Sequence, residues 1–259
     1  MPEDHDIIIL GSGSTAFAAA LRAQSRGARV LMIEKSMLGG TCVNWGCIPS
    51  KTLIHTALYR WETRLGRLLG LGTCEGLVDF APLSEHKEEV VQHLRQTKYL
   101  DILRSVPGLT LVKGTGRFIG PHTIQVGDLQ YRGERILIAT GGFPRPINIS
   151  GLAGIDYLTS RSALLLKTLP DSLLVVGGGV IAFELGQMFL RLGCAVTILE
   201  HGPRILPLVE AEPVLALKQA LLDEGMRIVE GAAVCSVRRD GEMTVADVET
   251  GGQRSELRA

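Results

Sequence analysis

The chain carries one strand–turn–helix–strand pattern twice, in register and without a gap. Asp6-Ile-Ile-Ile-Leu-Gly11-Ser-Gly13-Ser-Thr-Ala16-Phe17 is matched by Ser172-Leu-Leu-Val-Val-Gly177-Gly-Gly179-Val-Ile-Ala182-Phe183. The match continues through Gly27 and Gly193, then Val30 and Val196, and ends on Glu34 and Glu200. In each copy the glutamate lies 23 residues after the first glycine. Each copy reads as a buried strand, a glycine turn, a helix, a second buried strand and an acid. The first glycine makes the turn, and the second lets backbone approach a pyrophosphate. The third position, alanine in both copies, keeps helix and strand close. Free N–H groups and the helix dipole favour an anion at the helix start, and the acid can accept hydrogen bonds from a ribose. One such match is weak, because an ordinary glycine-rich βα turn looks the same. Two with matched context are specific, and they imply two dinucleotides exchanging electrons.

The expected fold is therefore α/β, with two Rossmann-like dinucleotide-binding domains at about 1–150 and 151–259. The second is expected to be incomplete, since the sequence stops at Ala259 inside it. Thirty-one glycines and 5% aromatic residues suit an α/β chain with many tight turns. Basic and acidic side chains balance at 27 each, with no long run of one sign, which argues against an electrostatic nucleic-acid or membrane-surface binder. The acidic start Met-Pro-Glu-Asp-His-Asp does not read as a secretory signal, and no stretch approaches 18 apolar residues. A cytoplasmic protein is expected, in which cysteines serve chemistry rather than a disulfide framework. Between the copies the pattern predicts helices over about 49–61 and 83–105 and strands at 109–113, 123–126 and 135–139. The turn-forming run Phe143-Pro-Arg-Pro-Ile-Asn reads as a domain crossing. A helix near 212–224, a strand at 226–229 and two further strand-like runs follow.

Directly after the first copy comes Gly39-Gly40-Thr41-Cys42-Val43-Asn44-Trp45-Gly46-Cys47-Ile48-Pro49-Ser50-Lys51. Residues five apart in a regular helix have Cα atoms about 8.7 Å apart, beyond the roughly 7 Å reach of a disulfide. A bridge therefore needs a distorted turn, which Gly46 eases. A helix N-terminus would also favour thiolate, the reactive form. With these motifs the chain resembles the class I flavoprotein disulfide reductases, over essentially its whole length. The resemblance implies FAD at the first copy, with Gly11, Gly13, Ala16, Glu34, Ser36, Thr41, Gly116 and Thr140 at contacting positions. It implies NADPH or NADH at the second copy, with Gly177, Gly179, Ala182, Glu200 and Arg204. It implies that Cys42 and Cys47 form the redox-active pair, Cys47 facing the flavin and Cys42 exchanging with substrate. Lys51 would approach the flavin edge and pair with Glu184.

Within that family the mercuric reductase branch is the nearest likeness. Ser12, the alanine-rich stretch 15–20, Tyr157-Leu-Thr-Ser and the Lys98-Tyr99 pair carry it. Tyr99 then matches a tyrosine that contacts metal, so Cys42, Cys47 and Tyr99 would hold Hg(II) transiently, as substrate; the plain alternative is an interfacial helix residue. Two rivals stand beside it: a dihydrolipoamide dehydrogenase-like reductase, and an FAD-binding module or redox sensor without turnover. Glu200 suits an unphosphorylated ribose and Arg204 a 2′-phosphate; the family favours NADPH. Full-length relatives are homodimers, and the resemblance places their interface domain and catalytic His-Glu pair past Ala259. The chain alone is expected not to sustain turnover. Cys74, Cys194 and Cys235 match no motif.

Overall fold

The computed structural model describes residues 3–66, 76 and 78–259. The chain divides into two compact units, Met1–Pro49 with Lys87–Phe143, and Ser50–His86 with Pro144–Ala259. The crossing at Phe143 lies inside the proline-rich run. Segment Ser50–His86, which the sequence reading kept with the first domain, groups with the second unit, where Leu53, Ala57 and Phe80 share a core with Phe183, Met188 and Phe189.

In chain order the first half forms β1 (Glu3–Leu10), α1 (Ser14–Gln24), β2 (Val30–Glu34), α2 (Gly40–Trp45), α3 (Cys47–Gly66), α4 (Phe80–Arg95), α5 (Asp101–Ser105), β3 (Leu109–Lys113), β4 (Arg117–Gly120), β5 (Thr123–Val126) and β6 (Leu129–Ile138). The sheet of the first unit has the order β3-β2-β1-β6-β5-β4. Strands β3, β2, β1 and β6 run parallel; β5 pairs antiparallel with β6, and β4 antiparallel with β5. All five residues of β2 are buried, as expected of a parallel strand covered on both faces. One face packs Ile9, Val30 and Met32 under Ala16, Phe17 and Ala20 of α1. The other packs Ile8, Leu10, Leu31 and Ile33 on Ile124, Val126 and Tyr131. The chain leaves β1 for β2 on one side and returns to β6 on the other, so the carboxyl end of β1 is a topological switch point, where open α/β sheets hold ligands.

The second unit continues with α6 (Ser160–Ala163), β7 (Ser172–Val176), α7 (Val180–Leu192), β8 (Ala195–Glu200), α8 (Ala211–Asp223), β9 (Arg227–Glu230), β10 (Ala232–Asp240), β11 (Met243–Thr250) and β12 (Gln253–Arg258). A parallel sheet β7-β8-β9 and an antiparallel sheet β10-β11-β12 result. Helix α7 buries Phe183, Leu185, Met188, Phe189 and Leu192, the apolar stripe of its 3.6-residue period. Two strands escape the sequence reading. β4 is four residues long, and β12 reads Gln-Arg-Ser-Glu-Leu-Arg, held by its ladder to β11 and by pairs such as Arg238–Glu256 at 2.6 Å rather than by apolar alternation. Among the described residues, no helix is long and apolar enough to cross a membrane.

Candidate active site

In the first copy, Gly11 ends β1 with φ +109°, and a Cβ placed on it would lie 2.2 Å from the Ala139 carbonyl oxygen. Only glycine lets the strand turn that close to the end of β6. Helix α1 starts at Gly13 with no side-chain cap and no acid in its first turn, so its leading N–H groups are left to meet an anion. Gly40 presses on Gly13: a Cβ on Gly40 would sit 2.6 Å from the Gly13 Cα. Glu34, 8% exposed, is fixed from both sides. Its Oε2 accepts from the Ser12 hydroxyl at 2.6 Å and its Oε1 from the Ser36 N–H at 2.7 Å. Each oxygen keeps a lone pair for a ribose hydroxyl. Thr41 and Thr140 are exposed, and a Cβ on Gly141 would stand 3.9 Å from the Thr41 Oγ1. The uncapped helix start, the glycine floor and the held acid fit an FAD. Two expected positions serve packing: Ala16 is fully buried, and a Cβ on Gly116 would meet Leu10, Ile124 and Ile33.

The second copy repeats the construction. Gly177 turns at φ +102°, and α7 starts at Gly179 without a side-chain cap or an acid in its first turn. Ala182 is half-buried on that helix. Glu200 Oε2 accepts from the Gly178 N–H and Oε1 from the Gly202 N–H, both at 2.6 Å. The acid of each copy thus ties the middle residue of its own glycine turn to the residue two positions beyond itself. No residue type in the sequence marks this latch, because Ser12 donates through its hydroxyl and Gly178 through its backbone N–H. Arg204 departs from expectation. Its Nη2 donates to the carbonyls of Pro207 at 2.7 Å and Val209 at 2.9 Å, while Nη1 is buried without a hydrogen-bond partner among the described residues. The guanidinium closes its own loop, because carbonyls released by the Leu206 turn (φ 46°) lie within its reach.

The cysteines flank a break between helices. α2 ends at Trp45, Gly46 takes φ −132° and ψ −113°, and Cys47 opens α3. A Cβ on Gly46 would lie 3.0 Å from the Thr41 carbonyl oxygen, which accounts for glycine at the break. The half-buried Cys42 is hydrogen-bonded to the exposed Cys47. Burial pushes the Cys42 thiol above its ordinary pKa, the neighbouring Cys47 adds to that, and the Ser14 hydroxyl opposes it. In the second unit, Lys51 Nζ donates to both Glu184 carboxylate oxygens at 2.6 Å.

Tyr99 owes its place to a π-helical turn, Gln96–Leu100, between α4 and α5. Buried positions along α4 fall at Phe80, Ser84, Lys87 and Val91, a spacing that continues through the half-buried Leu94 to Lys98. The extra residue of the π turn passes the inward position to Tyr99, 8% exposed, and leaves Lys98 outside. The ring meets Phe17 edge-on, centroids 4.6 Å apart, and its hydroxyl lies 3.4 Å from the Ser14 Oγ. Ser14 therefore touches both Tyr99 and Cys42. Cys194 is buried, Cys235 is exposed, and Cys74 lies outside the described residues. Among the described residues, no group of three or more His, Cys, Asp or Glu side chains is placed to hold a metal ion.

The family model for pyridine nucleotide-disulphide oxidoreductases matches residues 5–258. The chain belongs to that family. It is 39% identical to mercuric reductase of Staphylococcus aureus over 256 residues, covering 99% of this chain and 47% of that protein. It is 32% identical to dihydrolipoyl dehydrogenase of Thermus scotoductus over 255 residues, covering 98% of this chain and 55% of that one. Among solved structures, the HOCl-induced flavoprotein disulfide reductase RclA from Escherichia coli superposes with a TM-score of 0.83 at 31% identity, over 97% of this chain and 54% of that one. The chain spans about half the length of the relatives it matches. Membership makes the chain part of an oxidoreductase family whose structural neighbours are flavoproteins, and it accords with the α/β fold carrying two dinucleotide motifs.

Proposed function

We propose that this chain carries the electron-transfer half of an NAD(P)H-dependent flavoprotein that reduces Hg(II). The observation that carries the reading is the pairing of Cys42 with Cys47 across the Gly46 break, with Ser14 joining Cys42 to Tyr99. The first copy would hold FAD on Gly11, Gly13, Glu34 and the N-terminus of α1; the second would hold the nicotinamide nucleotide on Gly177, Gly179, Glu200 and α7. Bound flavin supplies the two-electron relay between nucleotide and sulfur. The chain's own residues bind, orient and exchange protons. Two electrons and two protons open a Cys42–Cys47 disulfide to two thiols. Two thiols and Hg(II) give the disulfide, Hg(0) and two protons. Soft sulfur ligands suit this soft ion, and the raised Cys42 thiol keeps its proton until a metal displaces it. Support for Hg(II) comes from the similarity to mercuric reductases at 39% and 40% identity. The similarity to a dihydrolipoyl dehydrogenase favours a second reading, in which a small disulfide takes the place of the metal.

The test is a single-turnover assay on the FAD-loaded chain. Thiols are counted before and after anaerobic reduction with a nicotinamide nucleotide, then Hg(0) vapour is measured after one equivalent of Hg(II). Two new thiols in the wild type, none in Cys42→Ser, and release of Hg(0) are expected. Equal thiol release by both proteins overturns the dithiol assignment. Two new thiols without Hg(0) transfers the reading to disulfide substrates.

A further inference from the structure

We infer that the outer flank of α8 docks an amphipathic helix of a protein partner, one whose apolar stripe is bordered by lysine or arginine. The surface lies outside both glycine motifs and the cysteine pair.

Three observations within the second unit carry it. First, α8 is more apolar than its own core requires. It buries Val214 and Leu221, which join Ile198 and Met226 in the core of the unit. Leu215 nevertheless stays 65% exposed and Leu222 40%, and Leu208, in the loop that leads into the helix, is 99% exposed. Leu215 and Leu222 are two helical turns apart and so share one side of α8. Leucines aligned in water mark a contact surface, where single scattered ones would not.

Second, the stripe faces an open side of the unit. At about 100° per residue, Glu224 falls about 70° from the buried stripe on one side, and there Gln187 and Arg191 of α7 bind it. Leu215 and Leu222 fall about 100° from it on the other side, past Lys218, whose Nζ binds Glu230 at the end of β9. The leucines therefore point away from α7, towards the outer edge of β9. Among the described strands, β9 pairs with β8 and ends the sheet β7-β8-β9. A helix laid on this side would continue the layer that α7 and α8 begin, its apolar ridge seated between Leu215 and Leu222. With four residues, β9 is a short template for an added strand.

Third, the charge around the stripe has one sign. Segment 208–226 holds four acids, Glu210, Glu212, Asp223 and Glu224, and one base, Lys218. Lys218 is taken by Glu230, and Glu224 by Arg191. Glu210, Glu212 and Asp223 are exposed, and they border the stripe at both ends with no further cation in the segment. Glu212 in the first turn suits the helix dipole, but Asp223 near the last turn opposes it, and that turn holds no basic residue. Cations at both ends of a partner's stripe would offset all three acids. The same acids disfavour a second copy of this flank, where like charges would meet, and an anionic membrane.

Fluorescence anisotropy tests this on the purified chain, with a labelled synthetic peptide of leucine and lysine whose leucines follow helical spacing. Binding that weakens as salt is raised is expected. A peptide with glutamate in place of lysine, and one of the same composition in scrambled order, should bind at least tenfold more weakly. Leu215→Ser combined with Leu222→Ser should cut affinity for the first peptide at least tenfold. Glu212→Gln combined with Asp223→Asn should cut it several-fold and flatten the salt dependence. Both pairs alter exposed residues, and circular dichroism reports whether each variant is folded. Equal binding by the wild type and the leucine variant overturns the inference; so does equal binding of the scrambled peptide, or no binding at all. Sedimentation without peptide tests the rival occupant: a concentration-dependent dimer that the leucine variant abolishes overturns the inference in favour of self-association. Binding of the wild type, but not the leucine variant, to phosphatidylcholine vesicles overturns it in favour of a lipid surface.

Discussion

Gly11→Ala and Gly177→Ala form a matched pair, because the two turns share backbone conformation and differ in surroundings. Their φ values are +109° and +102°, outside the range that an alanine adopts freely. That strain is common to both and costs roughly 1–2 kcal/mol. At Gly11 the new methyl would also lie 2.2 Å from the Ala139 carbonyl oxygen and 2.9 Å from its carbon, whereas no described atom lies within 4 Å of a Cβ on Gly177. An ordinary C···O contact is about 3.3 Å or more, so the ends of β1 and β6 would have to part by about 1 Å. The Ala139 N–H bond to the Leu10 carbonyl, 2.9 Å, lies at that point and would stretch. Overpacking of this kind costs about 1–3 kcal/mol and a weakened hydrogen bond about 1 kcal/mol. Gly11→Ala should therefore cost roughly 3–6 kcal/mol and Gly177→Ala roughly 1–2 kcal/mol. The two tryptophans make the assay direct, since Trp45 belongs to the first unit and Trp61 to the second. Urea unfolding followed by fluorescence in Trp61→Phe and Trp45→Phe backgrounds reads each unit separately. A difference near 2 kcal/mol corresponds to a midpoint gap of about 1 M urea. Equal losses in the two variants would refute the steric argument and leave only backbone strain.

Two further outcomes can be checked the same way. Arg191 donates twice to the largely buried Glu224, at 2.6 and 2.8 Å, beside the Trp61 ring, so Arg191→Ala leaves that carboxylate without its cation and with the Gln187 amide donor, and should cost about 3–5 kcal/mol, read as a lower Trp61 midpoint; a change under about 1 kcal/mol would contradict the burial argument. Burial pushes the Cys194 thiol up to about 12 from an ordinary 9.0, so its contribution is complete below pH 9 and declines as pH climbs towards 12. Cys194→Val should match the wild type near pH 7 and gain on it above pH 9, by at most ~1.4 kcal/mol per pH unit; parallel pH curves would exclude this.

The repeat made most of the nucleotide architecture legible, because glycine turns, flanking apolar runs and acid spacing are local properties. Strands β3 and β5 fall where short apolar runs place them. The latches were not legible as such: they join residues 22 apart in sequence, Ser12 to Glu34 and Gly178 to Glu200, through geometry that only the folded turn supplies. The bonds of Arg204 to the Pro207 and Val209 carbonyls were not legible either, since they depend on the Leu206 turn. Lys87 is 1% exposed in a helix whose composition marks it for solvent, since tertiary packing rather than pattern decides its burial. The burial of Tyr99 was not legible from periodicity, since the helical period alone points to Lys98.

That last mismatch bears on how the segment is inherited. A π turn is the form that one inserted residue takes when the helix on either side keeps its existing contacts. The stretch before it still seats Val91 in the core, and the stretch after it still leads into Leu109 of β3. A related chain without the extra residue would run as an unbroken α-helix and align here with a single-residue gap. Its tyrosine would occupy the inward site by ordinary periodicity. Position in an alignment column and position in space therefore part company between Gln96 and Leu100, and equivalence there is to be judged by which side chain meets Phe17.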